Sequence, residues 1–508
     1  MTKTSPVHST RQSGVLLHIT SLPGPHGMGD FGPHAYRFVD WLHSAGQSLW
    51  QLLPTTPIGP GDSPYQGVSA FAGSQWMVAF EPMVAKGWMP APDAKSQAFD
   101  AHRIDYANTL PWREGQLRKG YAGFQAHASA QDAAAFEAWC GENADWLSDY
   151  ALFMAIRAPL NGQPWWQWPK ALARREAKAL AKARKDKADE IRFWSFVQWC
   201  FDEQIRALKS YANDHGVQII GDIPIFIAHD SADCWAHPEL YFLDDDFNTT
   251  VVAGVPPDDL GPDGQRWGNP LYRWDLMAKD NFAWWTARVK RTLGHADVFR
   301  IDHFRGFAGY WEIPGDSPTA KNGRWLPGPG KALFDAIEAA LGKVPVIAED
   351  LGLITPDVLE LRDSCAYPGM KIAQFAFGAG GDHEFLPHNW PVDCVAYTGT
   401  HDNDTAKGWW DNAKPSERQF AGSYLACGPH DVHWAMVRAC SNSVARMVVF
   451  PMQDVLGLGA EHRINIPGIL GGNWSWRFDW PMLSAEPTRV LGLITAASGR
   501  GPFKLLGL

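Results

Sequence analysis

Three segments of this chain run out of an apolar, β-prone stretch and end on a carboxylate. They are Phe299-Arg-Ile-Asp-His-Phe304, with Asp302; Val346-Ile-Ala-Glu-Asp-Leu-Gly352, with Glu349; and Val395-Ala-Tyr-Thr-Gly-Thr-His-Asp-Asn403, with Asp402. Carboxylates just past strand ends are where a barrel enzyme carries its chemistry. Two carboxylates facing each other across one bond are what cleavage or transfer of a glycosidic bond requires. The spacings of 349 − 302 = 47 and 402 − 349 = 53 residues each leave room for a strand and a helix.

Arg300 stands two residues before Asp302, so on a strand both side chains point the same way. A guanidinium beside a carboxylate keeps it ionised and oriented, the state a nucleophile needs. The same pair also fits a buried structural ion pair. Glu349 has Asp350 as a like-charged neighbour, which favours a protonated carboxyl of the kind a general acid needs near neutral pH. The competing reading makes Glu349 a helix-start charge and Asp350-Leu-Gly352 a capping turn. Asp402 lies in Thr400-His-Asp-Asn-Asp404. There His401 and Asp402 would grip neighbouring hydroxyls of one sugar ring and strain it towards the oxocarbenium shape. An Asx turn is the alternative, with Asn403 or Asp404 serving in it.

Strand-end carboxylates need strands. Eight β-like runs are predicted: Gly14–Ile19, Ser48–Leu53, Val217–Asp222, Asp297–Ile301, Val344–Ala348, Ile372–Phe377, Asp393–Tyr397 and Arg446–Phe450. Most are continuous Val/Ile/Leu/Phe runs, as expected for parallel strands buried on both faces. Helix-like segments such as Lys331–Leu341 and Pro356–Ser364 lie between them. Strands alternating with helices imply an α/β fold, and eight such units imply a (β/α)8 TIM barrel with inserted, mainly helical subdomains. The second and third runs are separated by roughly 160 residues, far more than a connecting loop. That interval holds helical patterns at Asp145–Arg157, Lys170–Arg192 and Phe193–His215, with Gly216 as a stop. We therefore expect one catalytic domain over 14–508, carrying a mostly helical insertion over 65–200 and a loop-rich, Pro/Gly/Asp/Trp-containing one over 236–280. The basic run from Lys170 to Lys187 has acidic residues interleaved and reads as a solvated helix face.

The chain has 508 residues and a formal net charge of −10, which advertises no basic face, so nucleic acid is not an expected partner. Seven scattered cysteines without a Cys-x-x-Cys form neither a disulfide framework nor a zinc site and suit a reducing compartment. The polar stretch Met1–Gly14 has no apolar signal core, and no run approaches the ~20 apolar residues of a membrane span. A cytoplasmic protein without membrane association is expected. Most of the 26 Trp residues belong to the core, while those near strand ends are candidate platforms for apolar sugar faces. His and Asp cluster in Ala228-His-Asp-Ser-Ala-Asp233, where loop packing is a better reading than a metal site. Gly328-Pro-Gly-Lys331 lacks the spacing and the hydroxyl of a phosphate loop, which disfavours a nucleotide-dependent sugar enzyme.

Strand-end Arg-x-Asp, then Glu, then His-Asp resembles the α-amylase superfamily. Eight motifs in order resemble the 4-α-glucanotransferase family of amylomaltases and disproportionating enzymes. They are Gly59-Pro-Gly-Asp-Ser-Pro-Tyr-Gln66, Gly221-Asp-Ile-Pro-Ile225, Gly254-Val-Pro-Pro-Asp258, Trp267-Gly-Asn-Pro-Leu-Tyr272, Arg300-Ile-Asp-His-Phe-Arg-Gly306, Ala348-Glu-Asp-Leu-Gly352, Gly399-Thr-His-Asp-Asn-Asp404 and Gly472-Asn-Trp-Ser-Trp-Arg477. The resemblance runs from about residue 14 to the C-terminus. It implies a barrel without a separate C-terminal β domain, acting on maltooligosaccharides and other α-1,4-glucans by a retaining double displacement. Asp302 would be the nucleophile, Glu349 the acid/base and Asp402 the third carboxylate. Substrate contacts would fall at Ser63, Tyr65, Trp267, Asn269, Arg300, His303, Phe375, His401 and Asn473. The family uses no metal or organic cofactor, and a monomer or weak homo-oligomer is expected. The rivals are an α-1,4-glucan hydrolase using the same carboxylates and a catalytically silent glucan-binding barrel. One departure stands out: Asp259-Leu-Gly-Pro-Asp-Gly264 replaces a segment in which the family carries an aromatic and then Ser-x-x-Gly, which bears on acceptor grip and product size.

Overall fold

The computed structural model describes residues 11–257, 261–469, 471–502 and 505. The polar N-terminus up to residue 10 and the Asp258–Leu260 part of the atypical loop lie outside them. The eight expected strands are present as β1 (Gln12–Leu16), β2 (Leu49–Gln51), β3 (Gln218–Ile223), β4 (Val298–Ile301), β5 (Val346–Ala348), β6 (Gly369–Ile372), β7 (Cys394–Tyr397) and β8 (Met447–Pro451). Each pairs in parallel with its chain neighbour, and β8 returns to β1. The remaining seam, between β5 and β6, is bridged where Ala348 N–H donates to the Pro368 carbonyl at 2.9 Å. The result is a (β/α)8 barrel.

Side-chain alternation explains why the strands read as unbroken apolar runs. Leu16, Leu49, Ile220, Val298, Ile347, Ile372, Val395, Met447 and Val449 fill the barrel interior. The residues between them, including Val15, Trp50, Ile219, Phe299, Val346, Ala396 and Val448, pack outward in a second core. Burial on both sides removes any reason for polar alternation. The sixth strand differs from its expectation. It covers Gly369–Ile372, and Ala373–Gly378 winds into a 3-10 turn, so Phe375 is not a strand residue. Gln374 in that turn donates to the Asp404 carbonyl at 2.7 Å, tying it to the neighbouring strand-end loop.

Between β2 and β3 the chain forms the helices Tyr106–His127, Ala130–Glu142, Ala144–Arg157 and Ala188–Asp214. The segment 170–192 is not one helix. It breaks at Lys187, between Ala177–Asp186 and Ala188–Asp214, and before that at Arg175, whose backbone is left-handed at φ 55° and whose guanidinium bonds Asp149 at 2.7 Å and stacks on Trp235. Tertiary contacts here outweigh a strong local helix preference. The segment expected to be loop-rich contributes Val251–Val255 and Gln265–Pro270 to an antiparallel sheet completed by Gly309–Pro314 and Arg324–Pro327. Gln265–Pro270 carries no apolar alternation, which hides it from a pattern search. Among the described residues, no helix is long and apolar enough to cross a membrane.

Within the barrel, β1 comes very close to β2 at Gly14. A Cβ there would stand 2.4 Å from both the Cβ and the carbonyl oxygen of Leu49. Gly14→Ala should therefore push β1 from β2 and destabilise the protein by roughly 1–3 kcal/mol, the usual range for overpacking. Urea unfolding with a shift of that size supports the strand contact; a midpoint equal to wild type rules it out.

Candidate active site

The sheet ladder continues past the strand ends and places the carboxylates. Asp302 N–H donates to the Ile223 carbonyl at 2.9 Å, and Glu349 N–H to the Ile301 carbonyl at 3.1 Å. Two side-chain acids at the same end of adjacent strands are thereby set by main-chain geometry. Arg300 does point with Asp302, and its Nη2–H donates to Asp302 Oδ1 at 2.8 Å. Its Nη1 reaches both oxygens of Asp222 at 2.9 Å. Tyr65 O–H donates to Asp222 Oδ2 at 2.8 Å, completing a chain from Tyr65 through Asp222 and Arg300 to Asp302. Asp222 was not singled out from the sequence beyond its place in Gly221-Asp-Ile-Pro-Ile225. The signal was available, since it ends an apolar strand as the other three carboxylates do.

Glu349 is held by the main chain. Its Oε2 accepts from His303 N–H at 2.6 Å and its Oε1 from Leu351 N–H at 3.0 Å. His303 adopts a left-handed backbone at φ 52° in the turn that carries this N–H. Burial pushes the Glu349 carboxyl up to about 8; Arg300 opposes this, and the neighbouring Asp302 charge adds to it. The like charge that matters is thus Asp302 and not Asp350, as the sequence suggested. Asp350 is turned to Arg362 and to Met370 N–H, the latter at 2.7 Å. Nor does Asp350 cap the following helix, whose N-cap is Thr355. Burial also pushes Asp222 upward, against the pull of Arg300.

In the third segment Asn403 Oδ1 accepts from Thr400 N–H and Asp404 Oδ1 from Thr405 N–H, both at 2.8 Å, so these two side chains are spent on the turn. Asp402 is left to project. Its Oδ1 accepts from Asn465 Nδ2–H at 2.6 Å, and its Oδ2 lies 3.2 Å from His401 Nε2. The His401 ring stacks on Tyr65 at 5.1 Å with 12° between planes, and Trp474 lies against both. Burial depresses His401, which favours its neutral form.

The other expected contact residues divide into two groups. Trp267 meets the His303 ring edge-on at 4.8 Å, and the buried Asn269 exchanges hydrogen bonds with Gln66, next to Tyr65. These join the central cluster. His303 Nε2 is buried with no partner among the described residues, and burial pushes its ring down to about 3. Ser63 Oγ accepts from Tyr65 N–H at 3.2 Å, so it shapes the turn beneath that ring. Asn473 spends both ends of its amide on a loop, accepting from Ile466 N–H at 3.0 Å and donating to the Ile469 carbonyl at 2.9 Å. Phe375 is 41% exposed and packs on Phe385, with no ring contact to the central cluster. The Ala228–Asp233 segment is occupied by packing. His229 lies under Trp166, Asp230 bonds Arg157, and Asp233 accepts from Ala70 N–H.

A carboxylate oriented by a guanidinium, a second whose carboxyl burial pushes upward, and a third oriented by an amide donor are groups that chemistry at a glycosidic bond can use. The comparisons agree. Residues 17–483 match the family model described as 4-alpha-glucanotransferase. A 4-alpha-glucanotransferase from Thermus thermophilus is 47% identical over 96% of this chain and 99% of its own. One from Synechocystis is 43% identical over 96% of this chain and 98% of its own. The solved amylomaltase from Streptococcus agalactiae, in complex with acarbose, superposes with a TM-score of 0.94 at 39% identity, covering 97% of this chain and 100% of that one.

Removing the guanidinium would leave buried carboxylates facing one another. Arg300→Met should cost about 3–5 kcal/mol at pH 7, as for a buried pair that loses one partner. Without Arg300, Asp222 would titrate still higher in the folded state than in the unfolded chain, so the loss should shrink as pH falls. Urea unfolding at pH 7 and pH 5 checks this; a pH-independent loss would mean that Arg300 acts by packing alone.

Proposed function

The chain belongs to the 4-alpha-glucanotransferase family, and on that premise we propose how its residues divide the reaction. The enzyme moves a segment of α-1,4-glucan from a donor to the 4-hydroxyl of an acceptor. Asp302 attacks the anomeric carbon while Glu349 gives its proton to the departing glycosidic oxygen. The donor's reducing-end fragment leaves and a glucosyl ester of Asp302 remains. Glu349, now a carboxylate, takes the proton of an incoming 4-hydroxyl. That oxygen attacks the anomeric carbon, the ester bond to Asp302 breaks, and an α-1,4 bond is restored after two inversions.

The observation that carries this reading is the asymmetry between the two acids. Arg300 donates to Asp302, whereas Glu349 is buried on main-chain N–H groups and pushed up to about 8. Esterification of Asp302 removes the charge that helps raise Glu349, so the acid of the first step becomes a readier base for the second. Asp402, with His401, grips hydroxyls of the ring at the point of attack. Tyr65, Trp267, Asn269, His303 and Asn473 flank the substrate. The insertions over 65–200 and 236–280 wall the single catalytic domain of 14–508 and seat the acceptor, and Phe375 serves at the outer rim. Maltooligosaccharides and starch- or glycogen-derived glucans are the substrates. The seven free cysteines fit a cytoplasmic location, with the enzyme working as a monomer or weak homo-oligomer.

Two experiments test this. With maltotriose alone, the products should be glucose and a ladder of longer oligomers, while total reducing ends stay nearly constant. A bound sugar hydroxyl outcompetes water only by positioning, so reducing ends that rise with consumption would make the protein a hydrolase. The second concerns Glu349. Both its oxygens accept N–H bonds, so Gln would turn an NH2 towards a donor, and Ala is the cleaner replacement. Glu349→Ala should lose glucan transfer by at least about 10³-fold, at the upper part of the range for general acid–base catalysis. It should keep the first step on maltosyl fluoride, whose leaving group needs no proton, and accumulate an ester on the peptide containing Asp302. Wild-type kcat/KM should fall as pH rises through about 8, where Glu349 loses its proton, and the variant acting on the fluoride should lack that limb. Equal loss on both donors would remove Glu349 from this role.

A further inference from the structure

The Asp402 carboxylate is held by a side chain outside the eight motifs. Asn465, only 8% exposed, donates Nδ2–H to Asp402 Oδ1 at 2.6 Å. The same stretch of chain grips Asp402 a second time. Arg463 Nη2–H donates to the Asp402 main-chain carbonyl at 2.8 Å, and its Nε–H to the Asn465 carbonyl at 3.2 Å. On the far side of Asn465, the Asn473 amide ties down Ile466. Trp474 N–H donates to the Ile464 carbonyl at 2.6 Å, and its ring lies against Tyr65 and His401. Asn465 is therefore fixed from both sides and aimed at one carboxylate oxygen.

The chemistry of the donor matters more than its presence. Lys or Arg at this place would pair with Asp402 and neutralise it. An amide fixes the rotation of the carboxylate and leaves its charge whole. His401 Nε2 lies 3.2 Å from the other oxygen, and burial favours the neutral form of its ring. Asp402 is thus turned into place with no Lys or Arg among the described residues pairing with its carboxylate, and the Arg463 guanidinium is spent on carbonyls.

We propose that Asn465 is the positioning residue of Asp402, a neutral amide that sets the carboxylate's orientation in the transition state while preserving its charge. This rests on the reading of Asp402 as the third carboxylate of the site. Asn465→Ala should lower kcat about 10²-fold, the scale of a misplaced catalytic group, with KM for maltotriose little changed. Asn465→Asp would set a carboxyl against Asp402. Two carboxyls in hydrogen-bond contact stay together only by sharing a proton. That variant should approach wild-type kcat at acidic pH and fall below the alanine variant as pH rises, its alkaline limb displaced to lower pH. The other ionisable groups around Asp402 are His401, Arg463 and Tyr65, with Arg300 and Asp302 beyond them acting on the His401 and Tyr65 rings. All are unchanged in the variants, so the displacement reports the introduced carboxyl.

Asp402→Asn is run alongside. If it keeps wild-type kcat, the reading of Asp402 fails, and this proposal with it. If Asp402→Asn is inactive while Asn465→Ala keeps wild-type kcat, or while the pH profile of Asn465→Asp runs parallel to wild type, Asn465 only holds its loop and the proposal is overturned. Should the alanine variant fold poorly, the profile of the aspartate variant decides alone.

Discussion

One buried cation organises the centre of this molecule. Arg300 is 3% exposed and is shared between Asp222 and Asp302, with Glu349 within reach of its charge. A single positive charge cannot balance three carboxylates in a buried setting. It touches Asp222 and Asp302, yet burial still pushes Asp222 upward, and Glu349, which it does not touch, is pushed up to about 8; at an effective dielectric of 20 two like charges about 4 Å apart repel by roughly 4 kcal/mol. Asp302 and Glu349 are set apart by that shortage of positive charge as much as by their separate contacts. Asp222 and Tyr65 belong to the same arrangement, because they fix the other end of the guanidinium fork and so its direction at Asp302.

The barrel contributes position more than chemistry. Its ladder runs one residue beyond the strands and holds Asp302 and Glu349 by their own N–H groups. The groups that orient the three carboxyls differ: a guanidinium for Asp302, backbone N–H for Glu349, and the Asn465 amide for Asp402. A cation favours an ionised carboxylate, backbone donors tolerate a neutral one, and an uncharged amide turns a carboxylate without quenching it.

Much of this was legible in the sequence because it rests on short-range rules. Period-two geometry put Arg300 beside Asp302, and unbroken apolar runs marked strands covered on both faces. The helices Lys331–Leu341 and Pro356–Ser364 have the expected ends, each flanked by its own Gly or Pro signal. What escaped depends on contacts distant in sequence. The break at Arg175 is imposed by Asp149 and Trp235, and the strand Gln265–Pro270 is defined by its partners rather than by its pattern. The partner charge of Glu349 was assigned to its sequence neighbour Asp350, whereas successive residues past a strand end face different ways, and Asp350 serves Arg362. Asn465 carries no local signal at all, since an amide 63 residues from its carboxylate becomes visible only when the loop is folded back.

The two hydrogen bonds to Glu349 come from the peptide groups of His303 and Leu351 and from no side chain. Substitution cannot delete a peptide N–H, except by proline. Genetic drift can therefore exchange residues around the acid without stripping its donors, provided the left-handed turn at residue 303 persists. Asp302 and Asp402 enjoy no such protection, because Arg300, Asp222 and Asn465 are each one codon change from losing a contact. Mutational tolerance should thus be uneven within a single cluster, broad around Glu349 and narrow around Asp302 and Asp402.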